Sequence, residues 1–266
     1  MTSVLVIGCG NMGSSLLRGI LNSSLPNVKL SAYDVHHEKL DVFKPYENIE
    51  LLNAPPKGKT YDVVFLCVKP SDLETCAKWS SKLVTKDTVV VSILAGIEIE
   101  KISELYEHKC GVVRAMPNIC ATVHEAATAL SANESVSLEK IKVVKDLFNT
   151  IGTSIEIREG LLDAVTGLSG SGPAYIFMII EALIDGGVKM GIPRDISADL
   201  VIQTVKGSCE VVKQSGVHPA VLKDQVTTPG GTTIHAVHEL ESHGLRSILI
   251  NAVVTATEQS KKLAKK

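Results

Sequence analysis

Three stretches of the sequence combine residue types and spacings suited to chemistry. V-L-V-I-G-C-G-N-M-G puts Gly8, Gly10 and Gly13 in GxGxxG spacing directly after an apolar run. Gly8 permits a tight turn, Gly10 lets a pyrophosphate approach the backbone, and Gly13 allows a helix to pack closely on a strand. Phosphates then meet the positive end of that helix, read here as Met12 to Leu21. T-T-P-G-G-T-T-I-H-A-V-H-E-L, residues 227 to 240, reads as a second helix start. Its four threonines, one proline and two glycines exceed the single oxygen acceptor an N-cap requires. The surplus suits a small carboxylate: N–H groups around Gly231 and Thr232 receive the anion, and Thr233 adds a hydroxyl at the reacting end. The third stretch is R-E-G, where Glu159 is either a ligand contact or a solvated carboxylate.

Asp34 follows the second apolar run, S-A-Y-D, 21 residues after Gly13. A carboxylate there accepts hydrogen bonds from an adenosine ribose and repels a 2′-phosphate. No arginine lies nearby, although His36, His37 and Lys39 offer positive charge, so the reading leans to NADH over NADPH. The alternative is that Asp34 caps a helix beginning near His36. Three further apolar runs end in C-V-K-P (67 to 70), S-I-L-A-G (92 to 96) and R-A-M-P-N (114 to 118). Ligands of parallel sheets lie at the carboxyl ends of the strands, which places these backbones along a cofactor.

The elements that must position these groups divide the chain in two. Strand-like runs at 4–7, 28–33, 62–68, 88–94, 111–116, 127–130 and 153–157 alternate with helical spacers, and those before residue 117 are apolar without alternation. Such runs belong to parallel strands buried on both faces, so residues 1–158 are expected to form a Rossmann-type, doubly wound, mainly parallel α/β domain. After Gly160 the strand-like runs vanish. Helical patterns cover 173–190, 193–215, 218–224, about 231–241 and 245–265, so residues 159–266 are expected to be all-helical. Pro173 to Met190 is apolar on most sides, with Glu181, Asp185 and Lys189 as one polar line. A domain of that size has little mass to cover such a helix, and another subunit could supply the cover.

Composition narrows the partners. A hydrophobic fraction of 45% and a charged fraction of 21% suit a globular chain, and a net charge of -2 offers no general attraction to nucleic acid. The basic tail Lys261 to Lys266 is explained by a helix dipole. Six cysteines without CxxC spacing point to reduced thiols and a cytoplasmic location. The N-terminus has no basic segment ahead of its apolar run, and the longest apolar stretch, Ala174 to Ile180, is short for a membrane span, so neither a signal peptide nor a membrane segment is expected. His235, His238 and His243 lack a cysteine or carboxylate to complete a zinc set, so no metal is expected.

Taken with T-G-L-S-G-S-G-P-A-Y (166 to 175), D-G-G-V-K-M-G-I-P-R (185 to 194) and L-K-D-Q-V-T-T-P-G-G-T-T-I-H-A-V (222 to 237), the motifs above resemble those of pyrroline-5-carboxylate reductase, in matching order from end to end. The last motif is the most specific, since many dehydrogenases share GxGxxG. The resemblance implies hydride transfer from NAD(P)H to the C=N carbon of L-1-pyrroline-5-carboxylate, giving L-proline in the final step of its synthesis. It implies cofactor contacts at Gly8, Cys9, Gly10, Asn11, Met12 and Gly13, at Asp34 and Asn53, at Cys67, Val68, Lys69 and Pro70, and at Ile93, Leu94 and Ala95. It implies substrate contacts at Glu159, Thr232 and Thr233, with Thr233 bonding the ring nitrogen, and a homodimer interlocked through the helical domain. The chain departs from the family at Asp34, where several relatives carry a small polar residue, and at Gln225, where some carry asparagine.

Two other readings share parts of the pattern. A dehydrogenase of the 6-phosphogluconate or 3-hydroxyacid kind also joins a nucleotide domain to helices, but its lysine acid-base has no matching motif around Lys189 or Lys206. A non-catalytic dinucleotide sensor would keep the glycine loop without needing a hydroxyl-lined anion site. Reduction of a cyclic imine needs only an oriented nicotinamide, a partner for the nitrogen and an anchor for the carboxylate.

Overall fold

A computed structural model describes residues 1–264 of the chain; Lys265 and Lys266 of the basic tail lie outside the described residues. An eight-stranded sheet forms the first half: β1 (Thr2–Ile7), β2 (Val28–Tyr33), β3 (Ile49–Leu52), β4 (Val63–Leu66), β5 (Val89–Ser92), β6 (Gly111–Met116), β7 (Ala126–Ala132) and β8 (Gly152–Glu156). Their order is β3-β2-β1-β4-β5-β6-β7-β8, parallel throughout except for the antiparallel pair β6 and β7. The order reverses direction between β1 and β4, which creates the crevice that open α/β sheets use for ligands.

Side chains alternate between the two faces, and both faces are covered. Val4, Val6, Phe65 and Val91 pack with Leu16, Leu17 and Ile20 of α1 (Asn11–Asn22) and with Val144, Leu147 and Phe148 of α4 (Leu138–Phe148). Leu5, Ile7, Val64 and Val90 pack on the other side with Leu73, Cys76 and Ala77 of α2 (Leu73–Ser80) and Ile99 and Ile102 of α3 (Ile99–Leu105). Two-sided burial explains the uninterrupted apolar runs, and each such side chain contributes roughly 1.5–3 kcal/mol. β3 was not anticipated, because I-E-L-L is short, carries a charge, and is half-buried at the sheet edge.

The described residues pack as two compact units, 1–171 with 255–264, and 172–254. The first unit therefore runs beyond the expected boundary at 158. Its last segment contains α5 (Leu162–Val165) and a π-turn over Thr166–Gly170, and it is tied to the sheet by side chains of β6 and the loop that follows it. The second unit holds α6 (Gly172–Lys189), α7 (Arg194–Ser215), α8 (Pro219–Gln225), α9 (Thr232–Ser242) and the start of α10 (Leu245–Ala264). α6 and α7 meet closely at Gly187 and Ser197, and the Ser197 hydroxyl donates to the Ile184 carbonyl at 2.9 Å.

None of the α6 residues is buried within the single chain; Phe177, Met178 and Leu183 are exposed. The helical stretch Glu159–Lys189 is long and apolar enough, by length and composition, to cross a membrane, and only 11% of its apolar window is buried. The unbroken apolar run Ala174 to Ile180 is only part of that stretch. Across the stretch as a whole, glycine, serine and proline interrupt the apolar residues more often than charges do.

Candidate active site

The crevice at the β1–β4 switch is a cavity of about 520 Å³, lined by Gly8, Gly10, Tyr33, Asp34, Lys39, Cys67, Val68, Lys69 and Trp79 among others. Gly8 lies at φ +95°, and a Cβ there would collide with the Cys67 carbonyl. A Cβ on Gly13 would collide with the Gly8 carbonyl, while one on Gly10 meets nothing within 4 Å. The first two glycines thus lock strand, loop and helix together, and the third leaves open space for a ligand. Gly10 is the N-cap of α1, which has no side-chain cap and no acidic residue in its first turn. Its first N–H groups, from Asn11 and Met12 onward, face a place suited to phosphate.

Asp34 stands one residue past β2 and is 6% exposed. Its Oδ2 accepts the Cys9 N–H at 2.6 Å, and its Oδ1 accepts the His36 N–H at 2.8 Å. Lys39 Nζ lies 3.4 Å from Oδ2. Burial pushes the Asp34 carboxyl up, but the two backbone donors and the Lys39 ammonium outweigh it and hold it below the ordinary carboxylate range. Asp34 closes a turn onto the His36 N–H and does not cap the helix His37–Phe43, whose N-cap His36 has no side-chain cap, and it presents its carboxylate to the cavity. A carboxylate has about four acceptor sites, so capacity remains for ribose hydroxyls. Cys9 is buried and its thiol is pushed up to about 12, first by burial and then by the Asp34 charge, so its side chain is inert.

Asn53 is exposed just past β3, and the register Tyr33 to Leu52 places it beside Asp34 at the carboxyl edge. Cys67 through Pro70 leave β4, anchored by the Cys67 N–H to the Ile7 carbonyl at 2.8 Å. Cys67 is half-buried with its thiol raised by desolvation, whereas Lys69 and Pro70 are exposed. Ile93, Leu94 and Ala95 leave β5. Leu94 is buried in the core and its N–H goes to the Ser92 hydroxyl at 3.2 Å, the Ile93 N–H goes to the Leu66 carbonyl at 3.3 Å, and Ala95 is exposed. Trp79 and Tyr33, which meet edge-on at 5.3 Å, were not singled out from sequence. Trp79 lies on the helix that follows C-V-K-P, and that position was the available signal.

The side chains of R-A-M-P-N bond within the protein. Arg114, Met116 and Asn118 have alternating positions, and their side chains hold the segment after β8. Arg114 bonds Glu159, Met116 packs on Gly170, and Asn118 donates to the Ser169 carbonyl at 3.0 Å while accepting the Ala127 N–H at 3.3 Å.

Gly231, Thr232 and Thr233 belong to the second unit, at the start of α9. No side chain caps that helix, so the threonines are not over-provided caps. The Thr227 hydroxyl donates to the Lys223 carbonyl at 2.7 Å, and the Gly231 N–H closes a turn on the Thr228 carbonyl at 3.0 Å. That takes the Gly231 N–H out of the expected anion site and leaves Thr232 and Thr233 as the first donors. Gly231 contributes by shape, since a Cβ there would collide with the Thr228 hydroxyl. Thr233 is half-buried.

Comparisons with known proteins cover both parts of the chain. Residues 159–263 match the family model described as pyrroline-5-carboxylate reductase dimerisation, and residues 3–96 match that of NADP oxidoreductase, coenzyme F420-dependent. The chain is 39% identical over 263 residues to a pyrroline-5-carboxylate reductase of Methanosarcina acetivorans, covering 98% of this chain and 97% of that protein. It is 40% identical over 260 residues to the enzyme of that name from Arabidopsis thaliana, covering 97% and 94%. Among solved structures, a pyrroline-5-carboxylate reductase from Coxiella burnetii superposes with a TM-score of 0.93 at 31% identity, covering 100% and 99%. A Plasmodium falciparum pyrroline carboxylate reductase with NADP bound gives 0.82 at 32% identity, covering 99% and 98%. With a glycine-locked nucleotide crevice, an uncapped threonine-rich helix start and relatives matched over nearly their whole length, the chain belongs to the pyrroline-5-carboxylate reductase family.

Proposed function

We propose that this chain reduces L-1-pyrroline-5-carboxylate to L-proline with NAD(P)H, the last step of proline synthesis. The reading rests most on the family membership, joined to the uncapped start of α9. When bound, the nicotinamide cofactor would supply the hydride that adds to the C=N carbon of the protonated imine, giving a secondary amine that takes a second proton from water. This chain's residues orient and bind. The α1 start and the Gly8 to Gly13 loop take the pyrophosphate, with Asn53, the Cys67 to Pro70 loop and the Ile93 to Ala95 loop along the rest of the cofactor. Thr232 and Thr233 N–H groups take the substrate carboxylate, with Gly231 shaping the turn, and the Thr233 hydroxyl meets the ring nitrogen. A protonated imine is already electrophilic, so no strong base is required of the protein.

Within NAD(P)H use, the ionised Asp34 at the ribose end favours NADH over NADPH. The helical region forms a homodimer, and the exposed apolar residues of α6 are the observation behind that assignment. A cytoplasmic location completes the reading, resting on cysteines without CxxC spacing. The test is oxidation of NADH on adding pyrroline-5-carboxylate to enzyme purified as a dimer without detergent. Turnover of 2- or 3-oxo acids in place of the imine would overturn the substrate assignment, and a chain soluble only in detergent would overturn the dimer.

A further inference from the structure

Arg114 is 7% exposed and is the only buried arginine among the described residues. It stands on β6 in register with Ser92, the last residue of β5, so it flanks the point where the Ile93 to Ala95 loop leaves the sheet. Its Nη1 donates to Glu159 Oε1 at 3.2 Å. The same oxygen accepts the Ile99 N–H at 2.7 Å. Ile99 opens α3, and the N-cap residue, Glu98, makes no side-chain cap. A carboxylate from 60 residues away therefore serves as that helix's cap.

The loop between β5 and α3 is thereby held at both ends. Its first residue is fixed by the Ile93 N–H to the Leu66 carbonyl at 3.3 Å, and its far end by Ile99 to Glu159. Between them Gly96, at φ +75°, turns the chain. We infer that Glu159 is a positioning residue, oriented by Arg114, that sets the loop Ile93 to Ala95 for the cofactor, in place of the substrate contact expected from the resemblance. The inference rests on the assignment of that loop to the nicotinamide cofactor. Glu159 engages its partners through one oxygen and through its reach, so chain length matters more than charge for capping, while charge serves the bond to Arg114.

Two variants separate reach from charge. Glu159→Gln keeps an oxygen at the same distance from the Ile99 N–H, and Glu159→Asp keeps the charge but falls short. Dissociation constants for NADH and NADPH are measured by nucleotide fluorescence without pyrroline-5-carboxylate, together with amide exchange across residues 93–102. Glu159→Asp is expected to weaken cofactor binding about tenfold, the scale of one lost charge-assisted hydrogen bond, and to speed exchange in that segment. Glu159→Gln is expected to stay within about threefold of the parent, because a neutral hydrogen bond replaces the charged one. If the Asp variant binds both cofactors as the parent does and only the KM for the imine rises, Glu159 is a substrate contact and the inference falls. A parent enzyme that binds NADH yet reduces no imine would overturn the proposed reaction while leaving this result readable.

Discussion

The Cys9 N–H donates to Asp34 Oδ2 at 2.6 Å, joining the glycine loop after β1 to the end of β2 across 25 residues. The carboxylate that lines the cavity is thus also bonded to the glycine loop proposed to take the pyrophosphate. Replacing Asp34 with serine removes the negative charge that repels a 2′-phosphate but keeps a short polar side chain. The ratio of kcat/KM for NADPH over NADH is expected to rise about tenfold in Asp34→Ser, equivalent to about 1.4 kcal/mol. An unchanged ratio would show that selection lies elsewhere, with Lys39 the next residue to vary.

Acid stability reports the same carboxylate. The Asp34 carboxyl is held below its ordinary value, so the folded chain binds that proton more weakly than the unfolded chain. Its stabilisation is complete above the ordinary aspartate value of about 3.9 and is lost as pH falls through the folded value. As pH falls below about 3.9, the melting temperature of the parent should therefore fall more steeply than that of Asp34→Asn. Parallel melting curves for the two proteins would contradict the bonding described here.

The three loop glycines differ in what surrounds them, and their variants should differ accordingly. A Cβ at Gly13 strikes the Gly8 carbonyl, so Gly13→Ala is expected to cost about 1–3 kcal/mol of stability in a thermal or urea melt. At Gly10 the same Cβ meets open space, so Gly10→Ala should melt like the parent while its cofactor dissociation constant rises about tenfold. If Gly10→Ala binds cofactor normally, the pyrophosphate does not pass over that residue.

Thr233 offers the cleanest separation of folding from chemistry. No side chain caps α9, so Thr233→Ala removes no capping bond and should shift the melting temperature by less than about 2 °C. Its kcat/KM for pyrroline-5-carboxylate is expected to fall at least about tenfold, about 1.4 kcal/mol of transition-state binding. Thr233→Ser, which keeps the hydroxyl, should recover most of that loss. Equal activity in the alanine variant would remove Thr233 from the reacting end.

The parallel core, the switch-point glycines and the change to helices were legible in residue order alone. Fully buried strands need unbroken apolar runs, and a close strand-to-helix turn needs glycine, so each feature leaves a local trace. β3 left almost none, since an edge strand half-buried on both faces tolerates I-E-L-L. Local sequence also could not say which partner each polar group takes. Glu159 looked equally like a ligand contact and a solvated carboxylate until the fold brought it to Ile99 and Arg114. Gly231 looked like an anion donor until its N–H closed on Thr228. Hydrogen-bond partners are chosen by through-space distance, and residues as far apart as 99 and 159 become neighbours only once the sheet is assembled.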